Sequence, residues 1–118
     1  MTNMTLQVQE SDCGAVFAVG GRLMHEGDSH FFRERLEEVL RRGKQWIVLD
    51  LSGVQGMSST GLGILISAHR ILQERGAAFK LAHLSDKVRS VLQITRLNSV
   101  FEIFESVEEA VKSVKKAV

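Results

Sequence analysis

The chain has 118 residues, of which 44% are hydrophobic and 25% are charged, and its formal net charge is +1. This length and composition are typical of one globular domain, which we expect to span residues 1–118. The balance of 15 basic and 14 acidic residues, with an aromatic content of 6%, argues against a function in binding nucleic acid.

The cysteine content and the hydropathy predict a cytoplasmic protein. Cys13 is the single cysteine, so the chain cannot form an intramolecular disulfide bond, which fits a reducing compartment. The first residues lack the basic and apolar segments of a signal peptide. No apolar run approaches the ~20 residues of a membrane-spanning helix, so we expect no direct insertion into a membrane.

Two apolar segments near the N-terminus predict an antiparallel hairpin. The segment from Leu6 to Glu10 alternates between apolar and polar residues, as a half-exposed strand does. The segment from Ala15 to Val19 is continuously apolar, and Asp12 to Gly14 provides a turn between the two. The glycines in Gly20 to Leu23 predict a flexible loop after the second strand.

The middle of the chain predicts a helix, a buried strand and a second helix. The first helix is predicted by apolar residues at an amphipathic spacing. Gly43 follows them and suits the left-handed residue that ends a helix. The continuous apolar run from Trp46 to Leu51 is typical of a strand covered on both faces. The apolar stretch of the next helix extends from Leu62 to Leu72, and Gly76 ends that helix. The apolar positions of the first helix are Phe32, Leu36, Val39 and Leu40.

The C-terminal part continues the alternation of strands and helices. Ala78 to Ala82 predicts a strand, Ser85 can cap a helix, and Phe101 to Phe104 predicts a short fifth strand. Ser106 and Glu109 have the spacing of a capping box at the start of a last helix. Alternating strands and helices require parallel neighbours, so the sequence predicts an α/β fold. It has one layer of about five mostly parallel strands, an antiparallel N-terminal hairpin and about four helices.

Three hydroxyl side chains lie together where the buried strand gives way to the second helix. Ser58, Ser59 and Thr60 fall at the carboxyl edge of the predicted sheet, where functional loops of α/β folds lie. The loop from Gly20 to Leu23 is expected at the same edge. The start of a helix favours an anion, so each hydroxyl could be a cap, a nucleophile or an acceptor of a phosphoryl group.

The residues around this cluster argue against catalysis. A hydrolase nucleophile elbow has the pattern Gly-x-Ser-x-Gly, but Thr60 occupies the position of the second glycine. The pattern Gly-x-x-x-x-Gly-Lys of a phosphate-binding loop is absent. The four histidines are scattered without the spacing of paired metal ligands. We therefore expect no catalytic residue, no metal ligand and no cofactor.

Two neighbouring segments resemble the signature of a known family. The run from Val48 to Val54, followed by Met57 to Gly63, resembles the signature of STAS domains, and of bacterial anti-sigma factor antagonists in particular. The resemblance extends over essentially the whole chain and includes Gly21 and Leu23 after the second strand. It implies a STAS-like fold and a regulatory module that binds other proteins.

The resemblance implies a switch controlled by phosphorylation. The unphosphorylated form would bind an anti-sigma factor that is also an ATP-dependent serine kinase, and phosphorylation at Ser59 would release it. A metal-dependent serine phosphatase would reset the switch. Ser58 and Thr60 are the alternative acceptors. The implied partner-binding residues are Gly21, Leu23, Met57, Ser58, Thr60, Gly61 and Leu62.

Two positions differ from many members of the family. Ser58 stands where many members have Asp. Many members also have an acidic residue near the position of Met24, which is itself not acidic. Related single domains also serve as subunits of stressosomes or of lipid-transport ABC assemblies. A constitutive subunit of this kind is the alternative function that the resemblance allows.

Overall fold

The structure is a computed structural model that describes residues 5–23 and 26–115. It contains five strands and four helices within these residues, in the order that the sequence predicts. A short 3₁₀ turn at Leu97–Ser99 precedes the last strand. The elements are β1 (Thr5–Glu10), β2 (Gly14–Leu23), α1 (Glu26–Arg41), β3 (Trp46–Met57), α2 (Ser59–Glu74), β4 (Ala78–Ala82), α3 (Asp86–Ile94), β5 (Glu102–Phe104) and α4 (Val107–Lys115).

The five strands form one sheet in the order β1-β2-β3-β4-β5. β1 and β2 are antiparallel, and all other neighbours are parallel. The predicted turn between β1 and β2 is confirmed, since the Ser11 N–H donates to the Gly14 carbonyl at 2.8 Å. The predicted α/β class, with its antiparallel hairpin, is therefore confirmed.

The predicted flexible loop from Gly20 to Leu23 is wrong, because this segment is the second half of β2. It pairs with an extension of β3 that continues past Leu51 to Met57. Gly20 lies opposite Gly53, and irregularities in the register flank the glycines. A Cβ at Gly53 would lie 3.1 Å from the Gly20 Cα, so the strands approach closely here because neither residue has a side chain. The glycines allow the pairing to continue instead of ending it.

The two faces of the sheet carry separate apolar clusters. On β3, Ile47 and Leu49 contact the large cluster that includes α1, α2 and α3, whereas Trp46 and Val48 contact the smaller cluster under α4. Successive side chains of a strand point to opposite faces, so the alternation explains why the first residues of this strand, Trp46 to Leu49, are all apolar. The sheet is therefore covered by three helices on one face and by α4 on the other.

The predicted helix ends are also confirmed. Gly43 and Gly76 have φ of 83° and 69°, the left-handed conformation that follows a helix. The Ser85 hydroxyl accepts the Val88 N–H at 3.3 Å and caps α3. The Ser106 hydroxyl accepts the Glu109 N–H at 3.1 Å at the start of α4.

Over residues 5–23 and 26–115, no helix combines the length and the apolar character needed to cross a membrane.

Candidate functional site at the start of helix α2

The hydroxyl cluster forms the junction between β3 and α2. β3 ends at Met57, and Ser58 has an extended backbone with φ of −93° and ψ of −178°. The Ser58 hydroxyl accepts a hydrogen bond from the Gly61 N–H at 3.4 Å, so Ser58 is the N-cap of α2. The helix begins at Ser59, three residues before the apolar stretch from which the sequence predicted it.

The backbone gives the three hydroxyl side chains different surroundings. Ser58 is half-buried and engaged as the cap, and Thr60 is half-buried in the first turn. Ser59 occupies the first helical position and is exposed. The Ser59 hydroxyl is therefore the member of the cluster that a modifying enzyme reaches most readily.

The position of Ser59 at the start of a helix favours an anion there. The first turn of α2 contains no acidic residue that would already interact with the positive end of the helix dipole. The first N–H groups of a helix have no carbonyl partner within it and point toward the space before the first turn. A phosphate on Ser59, with about two negative charges, would lie in this favourable field.

Two neighbouring elements support the junction. The end of β2 runs beside it, since Gly21 pairs with Val54 and the backbone of Leu23 pairs with Met57. The Ser85 hydroxyl, at the start of α3, donates to the Val54 carbonyl at 3.2 Å. The sequence indicated Ser85 as a cap, but it gave no signal for this contact, which joins residues 31 positions apart. The end of β2 and the start of α3 therefore flank the residues that lead to Ser59.

The expected partner-binding residues are only partly accessible. Met57 and Leu62 are partly buried and pack against the large apolar cluster. Gly61 is buried and Gly21 is half-buried. Met24, near which the family often has an acidic residue, lies outside the described residues. The structure thus brings these residues to one edge of the sheet, with Ser59 the most exposed of the central cluster.

Other parts of the described chain offer little for chemistry. No group of three or more His, Cys, Asp or Glu side chains among residues 5–23 and 26–115 could hold a metal ion. An open cavity of about 300 Å³ lies at the opposite edge of the sheet, where β3 begins. Its lining residues are Ser11, Asp12, Cys13, Trp46 and Lys115.

The fold agrees with the comparisons with known proteins. The family model of the STAS domain matches residues 3–110, which is most of the chain. The chain therefore belongs to the STAS domain family. This family includes proteins named anti-sigma factor antagonists, which are regulators and not enzymes.

One similar protein is the anti-sigma-B factor antagonist of Listeria monocytogenes. It is 30% identical over 106 residues, which cover 86% of this chain and 89% of that protein. Two solved structures carry the same fold. SpoIIAA in its unphosphorylated form has a TM-score of 0.81 and 22% identity, covering 97% of this chain and 99% of that one. The phosphorylated form of the Bacillus protein SpoIIAA has a TM-score of 0.73 and 20% identity, covering 93% and 99%.

Proposed function

We propose that this protein is an anti-sigma factor antagonist that is switched by phosphorylation at Ser59. In its unphosphorylated form it binds an anti-sigma factor with serine kinase activity. Transfer of the γ-phosphoryl group from ATP to the Ser59 hydroxyl releases the antagonist, and a metal-dependent serine phosphatase restores it. The nucleotide belongs to the partner, so the antagonist itself needs no cofactor.

The observation that carries this proposal is the exposed Ser59 hydroxyl at the first position of α2. Its neighbours Ser58 and Thr60 are half-buried, and Ser58 is engaged with the Gly61 N–H. The names of the similar proteins support an antagonist role, and the two forms of SpoIIAA are consistent with a phosphorylated state in this fold. The partly buried residues Met57 and Leu62, together with the end of β2, complete the proposed contact surface.

The acceptor can be tested by mapping the site of modification. The wild-type chain is incubated with its cognate anti-sigma kinase and ATP, and mass spectrometry locates the phosphate. We expect modification at Ser59 alone, with complete loss in Ser59→Ala. The Thr60→Val variant is the matched control, because it removes an adjacent hydroxyl and keeps the size of the side chain.

Two results would contradict the proposal. Phosphate found on Ser58 or Thr60 in the wild-type chain would assign the switch to another hydroxyl. The second result concerns binding of the anti-sigma factor in the absence of ATP, where no phosphorylation takes place. A Ser59→Ala variant that folds but does not bind under these conditions would make Ser59 a contact residue and not a switch. Circular dichroism of the variant distinguishes loss of folding from loss of binding.

A further inference from the structure

We propose that Ser58 is a positioning residue for the modification of Ser59. By capping α2, the Ser58 hydroxyl fixes the first helical turn and thereby directs the Ser59 side chain away from the core. This inference rests on the proposed function and adds to it a residue that acts through the acceptor. It requires a hydrogen-bond acceptor at position 58 and does not require a negative charge there.

The geometry at Ser58 separates it from Ser59. The extended backbone at Ser58 turns its hydroxyl back over the helix, where it accepts the N–H of the buried Gly61. Ser59 already has helical geometry, and its side chain is exposed. The change from the extended backbone of Ser58 to the helical backbone of Ser59 therefore places the Ser58 hydroxyl on the helix end and leaves the Ser59 hydroxyl accessible to a kinase.

Besides this cap, the first turn is held by the Leu62 N–H, which donates to the Ser58 carbonyl at 3.0 Å, and by the Leu62 side chain, which packs against the large apolar cluster. The turn remains sensitive to loss of the cap for two reasons. Gly61 has no side chain to pack, and glycine is among the residues least favourable to a helix. The first turn also lacks an acidic residue that would interact with the helix dipole. Loss of the cap should therefore fray the turn that contains Ser59 and reduce the fraction of chains that present it in the helical geometry.

Two other helices of the chain use the same kind of cap. The Ser85 hydroxyl accepts the Val88 N–H at the start of α3, and the Ser106 hydroxyl accepts the Glu109 N–H at the start of α4. Ser106 lies with α4 on the opposite face of the sheet from α2. The Ser106→Ala variant is therefore a matched control, because it removes a cap without disturbing the turn at Ser59.

The test compares Ser58→Ala, Ser58→Asn and Ser58→Asp with wild type and with Ser106→Ala, using the kinase and ATP of the mapping experiment. We expect Ser58→Ala to raise KM for phosphorylation of Ser59 by about fivefold with little change in kcat, because fewer chains present the competent turn. Both Ser58→Asn and Ser58→Asp should restore KM, since both side chains cap helices well. Ser106→Ala should leave KM unchanged.

Several results would overturn the inference. Unchanged or faster phosphorylation of Ser58→Ala, while the wild-type chain is modified at Ser59, would exclude a positioning role and leave the proposed function intact. Rescue by Ser58→Asp but not by Ser58→Asn would show that charge, and not capping, matters. A wild-type chain that is not modified at Ser59 would overturn the proposed function itself.

A measurement without the partner tests the structural step separately. Amide hydrogen exchange of the isolated chain reports the protection of the Gly61 N–H that the Ser58 hydroxyl holds. We expect faster exchange of this amide in Ser58→Ala and wild-type protection in Ser58→Asn and Ser58→Asp. Equal protection of the Gly61 N–H in wild type and in the three Ser58 variants would overturn the inference, whatever the phosphorylation kinetics show.

Discussion

Adjacent hydroxyl groups of the same chemistry take different roles at the start of α2. Ser58 and Ser59 differ in backbone conformation, so one hydroxyl accepts the Gly61 N–H and the other faces solvent. This difference is invisible in the residue types and is set by the position at which β3 ends. At the scale of single residues, the function of this site therefore depends on the geometry of one junction.

Gly53 is the residue that allows β2 and β3 to continue together toward this junction. An added Cβ would lie 3.1 Å from both the Gly20 Cα and the Val19 carbonyl oxygen, which are backbone atoms that cannot move aside easily. We expect Gly53→Ala to lower the free energy of unfolding by about 1–3 kcal/mol. Urea denaturation with linear extrapolation measures this change.

Gly56 provides the control on the same strand. Nothing lies within 4 Å of a Cβ added there, so Gly56→Ala should change the free energy of unfolding by less than about 0.5 kcal/mol. Equal stabilities of the Gly53 and Gly56 variants would contradict the close approach of the strands.

At the scale of elements, an ion pair joins β1 to Arg42, the residue that follows α1. The Arg42 guanidinium donates to both carboxylate oxygens of Glu10, at 3.0 and 2.7 Å, and Lys44 lies 3.8 Å from the same carboxylate. The hydrogen bonds from Arg42 lower the pKa of Glu10 below its usual value of 4.5, against the opposing effect of desolvation. The ionised form of Glu10 is therefore favoured in the folded state.

A lowered pKa in the folded state makes the contribution of Glu10 depend on pH. The contribution is present above the usual pKa of 4.5 and is lost as the pH falls through the lowered folded value. We expect the difference in urea midpoint between wild type and Glu10→Gln to be small but measurable at neutral pH, and to shrink well below pH 4.5. A difference that grows on acidification would contradict this assignment.

The two faces of α2 should respond differently to truncation. Leu65 is fully buried in the large apolar cluster, whereas the neighbouring Ile66 is 41% exposed. We expect Leu65→Ala to lower the free energy of unfolding by about 2–5 kcal/mol, because it leaves a cavity between the helix and the sheet. Ile66→Ala should cost about 1 kcal/mol or less, and similar losses in the two variants would contradict the orientation of α2.

At the scale of the whole molecule, hydrophobic periodicity was sufficient to predict the order of strands and helices. The apolar run from Trp46 to Leu51 predicted a doubly covered strand, and both faces of β3 are indeed buried over Trp46 to Leu49. The glycines at positions 43 and 76 and the serines at 85 and 106 marked helix ends because turns and caps have local chemical requirements. These features depend on residues that are close together in the chain, so the local sequence is sufficient to predict them.

The parts that the sequence did not predict depend on distant contacts. Gly20 and Gly21 suggested a loop, but the pairing of Gly20 with Gly53 converts them into strand. The contact of Ser85 with the Val54 carbonyl likewise joins residues remote in the chain. The sequence predicted that one of the three hydroxyls caps α2, but the apolar pattern, which begins at Leu62, did not show that the cap is Ser58.

In the proposed switch, a phosphate on Ser59 lowers the affinity of the protein for its anti-sigma partner. The most direct measurement is the dissociation constant of the partner for the chain phosphorylated at Ser59, compared with the unphosphorylated chain, by isothermal titration calorimetry. We expect phosphorylation to weaken binding by at least about tenfold, since a hydrated dianion must be desolvated at the contact. Equal or tighter binding of the phosphorylated chain would contradict the proposed switch and would favour a constitutive subunit.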